Sequence, residues 1–318
     1  MIRYIIKRLL LLIPIMICVS FIIFFVVDLA PGDVVDVTAG VEIPEEVKYQ
    51  MREELGLNDP LLVRYARYMA GIFTGNMGVS AVTKQDVFKT YMQRLPQTLK
   101  LTITGNLLAI LIAIPLGIVA ATHQNTWHDT GSTILGLLGI SMPTFWLGLL
   151  LIIAFSLKLK IFPSIDDGSF KALILPAITL GTGEAALTMR TTRSSMLEVI
   201  RQDYLRTVKA KGVPQRIVIN KHGLKNALIP IITVIGNQFG MHVGGTMVIE
   251  TIFSIPGMGT LIVTAVNQRD YPVVQSGAIF LAISFSLIML LVDLLYAAVD
   301  PRIKARYSAM GKKVKKHA

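Results

Sequence analysis

The sequence is poor in cysteine and in charge. Cys18 is its single cysteine, which excludes an intramolecular disulfide and a site built from several thiolates. Charged residues make up 16% of the 318 positions and hydrophobic residues 53%, a balance too apolar for a soluble domain of this size. The only Gly-Lys pair, Gly311-Lys312, lacks the upstream glycine and following hydroxyl of a phosphate-binding loop. The sequence therefore predicts a membrane protein with no catalytic residues and no nucleotide site of its own.

Long apolar runs are what the sequence has instead. A hydrocarbon core takes about 20 residues of helix to cross, and six segments are long enough. The predicted fold is therefore an all-α polytopic membrane protein with six transmembrane helices. The predicted spans are Leu9 to Val27, Leu99 to Ala121, Ile134 to Leu157, Ala172 to Met189, Ala227 to Ile249 and Gly277 to Val299.

The distribution of basic residues predicts the topology. Arg3, Lys7 and Arg8 precede the first span, whose nineteen uncharged residues exceed the usual signal-peptide core of about 7 to 15, so we expect an uncleaved anchor. Six crossings place both termini in the cytoplasm, and the segment 300–318 holds seven Lys and Arg against one acid. The net charge of +11 thus reflects topology, and no nucleic-acid partner is expected.

Four regions follow from this layout. Residues 1–27 form the N-terminal end and first span, and residues 28–98 form a predicted extracytoplasmic helical subdomain. Within that subdomain one helix begins after Pro44 and stops at Gly56, and a second follows Pro60 and runs to about Phe73. Residues 99–300 form a core of five spans, and residues 301–318 a basic cytoplasmic tail.

The loop 190–226 inside the core is strongly basic, with nine Lys and Arg against two acids. Leu197, Ile200, Tyr204 and Val208 recur at helical spacing and predict one apolar stripe. Gly212 can end that helix in a left-handed conformation, and a proline two residues later cannot continue it. We therefore expect a short helix, an elbow and a second short helix facing the cytoplasm. Charge alone would also fit a loop that only sets topology.

The segment 203–230 resembles the cytoplasmic coupling loop of ABC importer permeases, in the branch that carries dipeptides, oligopeptides and nickel. Arg206-Thr207-Val208 before Gly212, and the string His-Gly-Leu-Lys at 222–225, follow that branch and depart from the broader Glu-Ala-Ala pattern. A literal Glu184-Ala185-Ala186 has Arg190 where the glycine should stand and is read as coincidence. The strings at 29–33, 55–60, 94–99, 250–259, 269–272 and 300–302 extend the resemblance to the first permease subunit over the whole chain.

This resemblance implies a type I ABC importer permease fold and a set of partners. They are a second homologous permease subunit, two ATP-binding subunits that hold ATP and Mg, an extracytoplasmic solute-binding protein and the lipid bilayer of a bacterial or archaeal inner membrane. The chain itself would hold no cofactor. The implied cargo is a dipeptide or oligopeptide, with nickel, a nickel chelate, glutathione and similar solutes left open. The implied ATPase-coupling residues are Asp203, Tyr204, Arg206, Thr207, Lys209, Ala210, Lys211, Gly212, Val213, Pro214 and His222.

Two acids, Glu184 and Asp293, fall inside predicted spans, where a charge costs about 3 kcal/mol on insertion scales. One interpretation is a proton or cation relay, which would make the chain an ion-coupled secondary transporter. The other is an interhelical hydrogen bond or a water contact. We favour it because two acids in separate spans, with no contact shown between them, give little support for a relay.

The fifth span has two distinct polar faces. Thr233, Gly236, Asn237, Gly240 and Gly244 share one face, while Gln238 and His242 lie on roughly the opposite one. Either face could border the solute route, with the other packed against a neighbouring helix. We expect His242 to be hydrogen-bonded and not a metal ligand, because no second His or Cys stands at ligand spacing. The candidate pathway residues are Thr233, Asn237, Gln238, Met241 and His242.

Overall fold

The computed structural model describes residues 2–29, 33, 35–36, 43–54 and 56–299. These residues form helices and loops, with a single isolated bridge between Val79 and Asp86, so the all-α prediction is confirmed. They divide into two compact units: one holds 2–8, Leu99–Ile255 and 285–299, and the other holds Leu9–Thr98 and Pro256–Ser284. The predicted basic tail at 301–318 lies outside the described residues.

The helices are numbered in chain order. They are α1 (Ile2–Asp28), α2 (Glu45–Glu54), α3 (Leu61–Phe73), α4 (Val87–Thr122), α5 (Trp127–Ser141), α6 (Thr144–Leu151), α7 (Phe170–Ile200), α8 (Asp203–Ala210), α9 (Gln215–Ile217), α10 (Leu224–Gly245), α11 (Met247–Ile252), α12 (Met258–Asn267) and α13 (Tyr271–Val299). Wider π-helical turns follow α6 at Ile152–Lys158 and α9 at Val218–Gly223.

Local signals define the helices of the second unit. Pro44 precedes α2, and Gly56 follows it with a φ of +64°, a left-handed conformation that glycine adopts without a Cβ penalty. Pro60 precedes α3, which ends at Phe73 as predicted. Both predicted helices are therefore confirmed.

Long-range contacts hold the second unit together. The Tyr65 hydroxyl lies 2.8 Å from Oγ of Ser20 on α1. The Tyr91 hydroxyl donates to the carbonyl of Val273 at 2.9 Å, which ties α4 to α13. The Ser80 hydroxyl donates to buried Asp270 at 2.5 Å, so the loop before α4 is fastened to the loop before α13.

The first unit is built around α7. One buried cluster joins α7 to α4 and α11 through Leu101, Leu175, Leu180, Ile249 and Phe253. A second lies where α7 meets α10 and includes Met196 and Ile231, both fully buried. Within a bilayer, such clusters hold helices together through van der Waals packing.

Within the described residues, four helical segments are long and apolar enough to cross a membrane. They are Leu9–Asp28, Val87–Thr122, Phe170–Ile200 and Tyr271–Leu295. The predicted third span, Ile134 to Leu157, is wrong as a single helix, because α5 and α6 are bent by 98° at the break before α6. Pro143 stands at that break and disfavours helical backbone in the residue before it. The predicted fifth span corresponds to α10 and α11.

Candidate functional site

The basic loop of the first unit forms an exposed elbow. Helix α8 ends at Ala210, Lys211 and Gly212 make the turn, and α9 begins after Pro214. Gly212 has a φ of +79°, as predicted for a left-handed helix stop. A Cβ built on Gly212 would meet nothing within 4 Å, so glycine is needed there for its backbone conformation and not for space. We call residues Asp203 to Pro214 the elbow.

Leu205 anchors the elbow to the unit. Its side chain is buried at 3% exposure, and it lies beside Gly223, where Met196 of α7 also approaches. The Tyr204 hydroxyl accepts a hydrogen bond from Asn226 at 2.6 Å and donates to the carbonyl of His222 at 3.3 Å. The elbow is thus fastened at its first turn, while its tip projects.

The predicted apolar stripe is wrong in one respect. It assumed a continuous helix through Leu197, Ile200, Tyr204 and Val208, whereas α7 ends at Ile200 and α8 begins at Asp203. The break rotates α8, so Leu205 takes the buried position and Tyr204 is 37% exposed. The second predicted short helix is also different, because α9 continues through a π-helical turn into α10.

Most of the predicted coupling residues are exposed and adjacent. Leu205 is the one buried residue within the elbow, and Val213 and His222 are half-buried. The exposed members are Asp203, Tyr204, Arg206, Thr207, Lys209, Ala210, Lys211, Gly212 and Pro214. The structure therefore brings the predicted set together on one basic projection of the first unit.

One ion pair of the first unit was not predicted from the sequence. Nε and Nη2 of Arg193 on α7 donate to the two carboxylate oxygens of Asp129 on α5, at 2.6 and 2.8 Å. Asp129 also accepts from the amide of Asn125 at 3.0 Å. Such a bidentate pair fixes orientation as well as distance. Its partners are 64 residues apart, so no local pattern points to it.

Glu184 pairs with α10 inside the helical bundle. Nε2 of His242 lies 2.8 Å from Oε1 of Glu184, whose side chain is only 3% exposed. Nδ2 of Asn106 on α4 donates to the same oxygen at 3.3 Å. Glu184 therefore makes interhelical hydrogen bonds, and His242 is hydrogen-bonded as expected.

Gln238 extends this connection by one turn. Its Oε1 accepts from Thr188 at 3.0 Å, and its Nε2 donates to the carbonyl of Glu184 at 3.3 Å. We call Asn106, Glu184, Thr188, Gln238 and His242 the polar cluster. Beside it lies a cavity of about 190 Å³, lined by Thr144, Leu180, Gly183, Glu184, Gln238, His242, Val248 and Ile249.

The opposite side of α10 is divided. Gly236 and Gly240 are buried against α13, where a Cβ on Gly236 would overlap Val292 and one on Gly240 would crowd Phe285 and Met289. Thr233, Asn237 and Met241 are exposed, Met241 to 66%. The candidate pathway residues therefore separate into three exposed side chains and two, Gln238 and His242, that are bonded to α7. The side chain of Asp293 is buried on α13, and Gly244 is one of the positions whose surroundings are not described.

Among the residues that the structure describes, no group of three or more His, Cys, Asp or Glu side chains is arranged to hold a metal ion. The first unit has two notable features. An exposed basic elbow lies at one end of α7 and α10, and the polar cluster joins those two helices within the bundle.

Known proteins resemble the chain over almost its whole length. Residues 113–305 match the family described as binding-protein-dependent transport system inner membrane component, and residues 1–102 match its N-terminal part. The glutathione transport system permease protein GsiC of Escherichia coli (strain K12) is 42% identical over 304 residues, covering 96% of this chain and 99% of that protein. The dipeptide transport system permease protein DppB of Alkalihalophilus pseudofirmus is 43% identical over 332 residues, covering 96% and 100%.

Solved structures share the fold. Two structures of the methionine ABC transporter MetNI in inward-facing conformations align with TM-scores of 0.56 and 0.57 at 18% identity. They cover 67% and 66% of this chain and 97% and 96% of theirs. At that identity the likeness concerns the fold alone.

Proposed function

The chain belongs to the family of inner membrane components of binding-protein-dependent transport systems, and from that premise we propose that it carries a short peptide or a peptide-like solute such as glutathione across the membrane. It is a permease subunit of an ABC importer with the type I permease fold, a transport subunit and not a catalytic one. The proposed solute rests on relatives named for glutathione and dipeptide transport.

The elbow is the proposed contact with a partner ATPase. Its tip is exposed and carries Arg206, Lys209 and Lys211, while Leu205 is buried beside Gly223. A basic projection with a rigid base can dock on a partner and move with it. Two ATP-binding subunits would hold ATP and Mg, so this chain needs no nucleotide site. A second homologous permease and an extracytoplasmic solute-binding protein complete the proposed assembly.

The single observation that supports the mechanism is that α7 and α10 are joined twice, by the elbow at their ends and by the polar cluster within the bundle. Glu184 precedes Ile200 by sixteen residues, which is about 24 Å along a helix that rises 1.5 Å per residue. Displacement of the elbow would therefore move α7 and α10 as a joined pair. The π-helical turn at Val218–Gly223 provides a point where α10 can bend.

The proposed orientation places the elbow and both termini in the cytoplasm of a bacterium or archaeon, and 28–98 outside. It rests on the basic elbow and on the Lys and Arg that precede the first span.

Reconstituted uptake tests the proposal. The tagged chain is purified with its partner subunits and inserted into liposomes. These liposomes should take up labelled dipeptide or glutathione only when ATP is enclosed in the lumen and solute-binding protein is added outside. A chain that accumulates solute on a proton or sodium gradient without ATP would instead support the secondary transporter built on Glu184 and Asp293.

A further inference from the structure

A large cavity lies in the second unit. Its volume is about 640 Å³, within the range of roughly 300–1,000 Å³ typical of small-molecule sites. Its walls combine aromatic and apolar side chains with four charged ones. They are Phe24, Val27, Asp28, Asp33, Gly56, Leu57, Arg64, Arg67, Tyr68, Gly71, Asn76, Met77, Gly78, Tyr271, Pro272 and Gln275.

The acidic groups of this cavity are already satisfied. Asp33 accepts from Nε of Arg52 at 2.5 Å and from the amides of Val35 and Asp36 at 2.9 and 3.0 Å. Asp28 pairs through Oδ1 with Arg64 at 2.6 Å. A cationic ligand would have to displace one of these contacts.

Arg67 is differently placed. Its side chain is 59% exposed, and among the described residues its one ion pair is with Asp59, through Nη2 at 2.6 Å. A guanidinium carries five N–H donors in a planar fork that matches a carboxylate. The guanidinium lies over Gly56, where a Cβ would overlap Nη1, so the glycine at the end of α2 also makes room for Arg67. Arg67 thus has donors to offer at the mouth of an aromatic-lined cavity.

We propose that this cavity binds the carboxylate end of a short peptide or peptide-like solute through Arg67, with Phe24, Tyr68 and Tyr271 against its apolar part. An anionic group is supported because, among the described residues, Arg67 has guanidinium donors beyond its one ion pair, whereas Asp33 and Asp28 are each already paired with an arginine. This inference rests on the proposed function for the class of solute. It adds a solute contact in the second unit, at the end of α1 and the start of α13.

Three substitutions test the site, because the exposed Arg67–Asp59 pair can be removed with little loss of stability. The probe is Ala-Phe, and its counterpart is Ala-Phe amide, which lacks the carboxylate. Binding is measured by ligand-observed NMR titration on the assembled importer in nanodiscs, without ATP and without solute-binding protein.

Arg67→Gln should weaken binding of Ala-Phe by at least about tenfold, and Arg67→Lys by less. Asp59→Asn should tighten it about two- to fivefold, because it frees the guanidinium and removes a repelling charge.

Lys89→Gln is the matched control, since it removes the same charge from an exposed position that does not line the cavity. It should leave binding unchanged. Equal binding by wild type and Arg67→Gln, equal affinity for the acid and the amide, or an effect of Lys89→Gln as large as that of Arg67→Gln would overturn the site. Binding that requires added solute-binding protein would overturn it as a solute site.

ATP-driven uptake is measured on the same preparations and reports on the proposed function separately. If the importer takes up dipeptide but Arg67→Gln binds Ala-Phe as well as wild type does, the cavity site is refuted and the transport function is retained. Arg67-dependent binding supports the site whatever the uptake assay returns.

Discussion

Glu184 on α7 and His242 on α10 meet through a contact of 2.8 Å between Oε1 and Nε2, the shortest contact of the polar cluster. Both hydrogen bonds to the Glu184 side chain go to this oxygen, from His242 and from Asn106. A buried acid held in this way ties helices together and needs no part in proton movement.

Removing the histidine should therefore destabilise the bundle more than removing both partners. His242→Leu leaves a buried carboxyl group without its shortest hydrogen bond, which costs about 1–3 kcal/mol. Adding Glu184→Leu removes the carboxyl group that lost its partner and should recover much of that loss. Unfolding of the purified chain in detergent, measured for the single and double variants, gives the coupling energy; losses that simply add would argue against the pair.

Two glycines on α7 should respond oppositely to alanine. A Cβ on Gly181 would lie 2.8 Å from the carbonyl oxygen of Gly105, a backbone atom that cannot move aside, whereas one on Gly183 meets nothing within 4 Å. Gly181→Ala should lower stability by about 1–3 kcal/mol through overpacking. Gly183→Ala should raise it by up to about 1 kcal/mol, because alanine is the better helix former. Thermal unfolding of the two variants tests this, and similar losses from both would show that α4 and α7 do not approach so closely.

Gly212 should tolerate asparagine but not valine. Its φ of +79° is accessible to asparagine and strained for a β-branched residue. Gly212→Val should abolish ATP-driven uptake while leaving the chain in the membrane, and Gly212→Asn should keep most of it. Uptake per inserted molecule is the measurement. Normal uptake by the valine variant would remove the elbow from the coupling mechanism.

Acid should loosen the region around α2. Burial raises the pKa of Asp33, but the hydrogen bond from Arg52 and those from the amides of Asp36 and Val35 outweigh it and hold the pKa below its usual 3.8. A depressed folded pKa means that the stabilisation is present above about pH 4 and is lost as the pH falls through the folded pKa. Limited proteolysis of 43–54 along a pH series should show this step. The Asp33→Asn variant should lack it, and an identical step in that variant would assign it to another group.

The elements that the sequence predicted correctly are those with a local cause. Gly56 and Gly212 both take positive φ, and Pro60 stands before α3, so composition over a few residues was enough to end or begin these helices. The position of the elbow followed from such signals together with its basic charge.

The sequence-based predictions were wrong or incomplete where contacts between distant residues, or a helix break inside an apolar run, determine the structure. Pro143 breaks the third apolar run, but the apolar residues around it mask the bend in a hydropathy reading. Leu205 is buried in place of Tyr204 because α7 stops two residues before α8, which shifts the helical phase. The Asp129–Arg193 pair depends on how α5 packs on α7, and no short pattern encodes that.

Site-directed crosslinking at the elbow tests the central claim most directly. Cys18 is the only cysteine and is exposed, so Cys18→Ser gives a background for Ala210→Cys at the elbow tip and for Thr83→Cys, an exposed control in the proposed extracytoplasmic region. Each variant is labelled in native membranes with a photoactivatable maleimide, and the adducts are identified by mass. The account predicts an ATP-binding protein joined to position 210 and none joined to position 83. The absence of an ATP-binding protein at position 210, with the importer assembled and active, would contradict it.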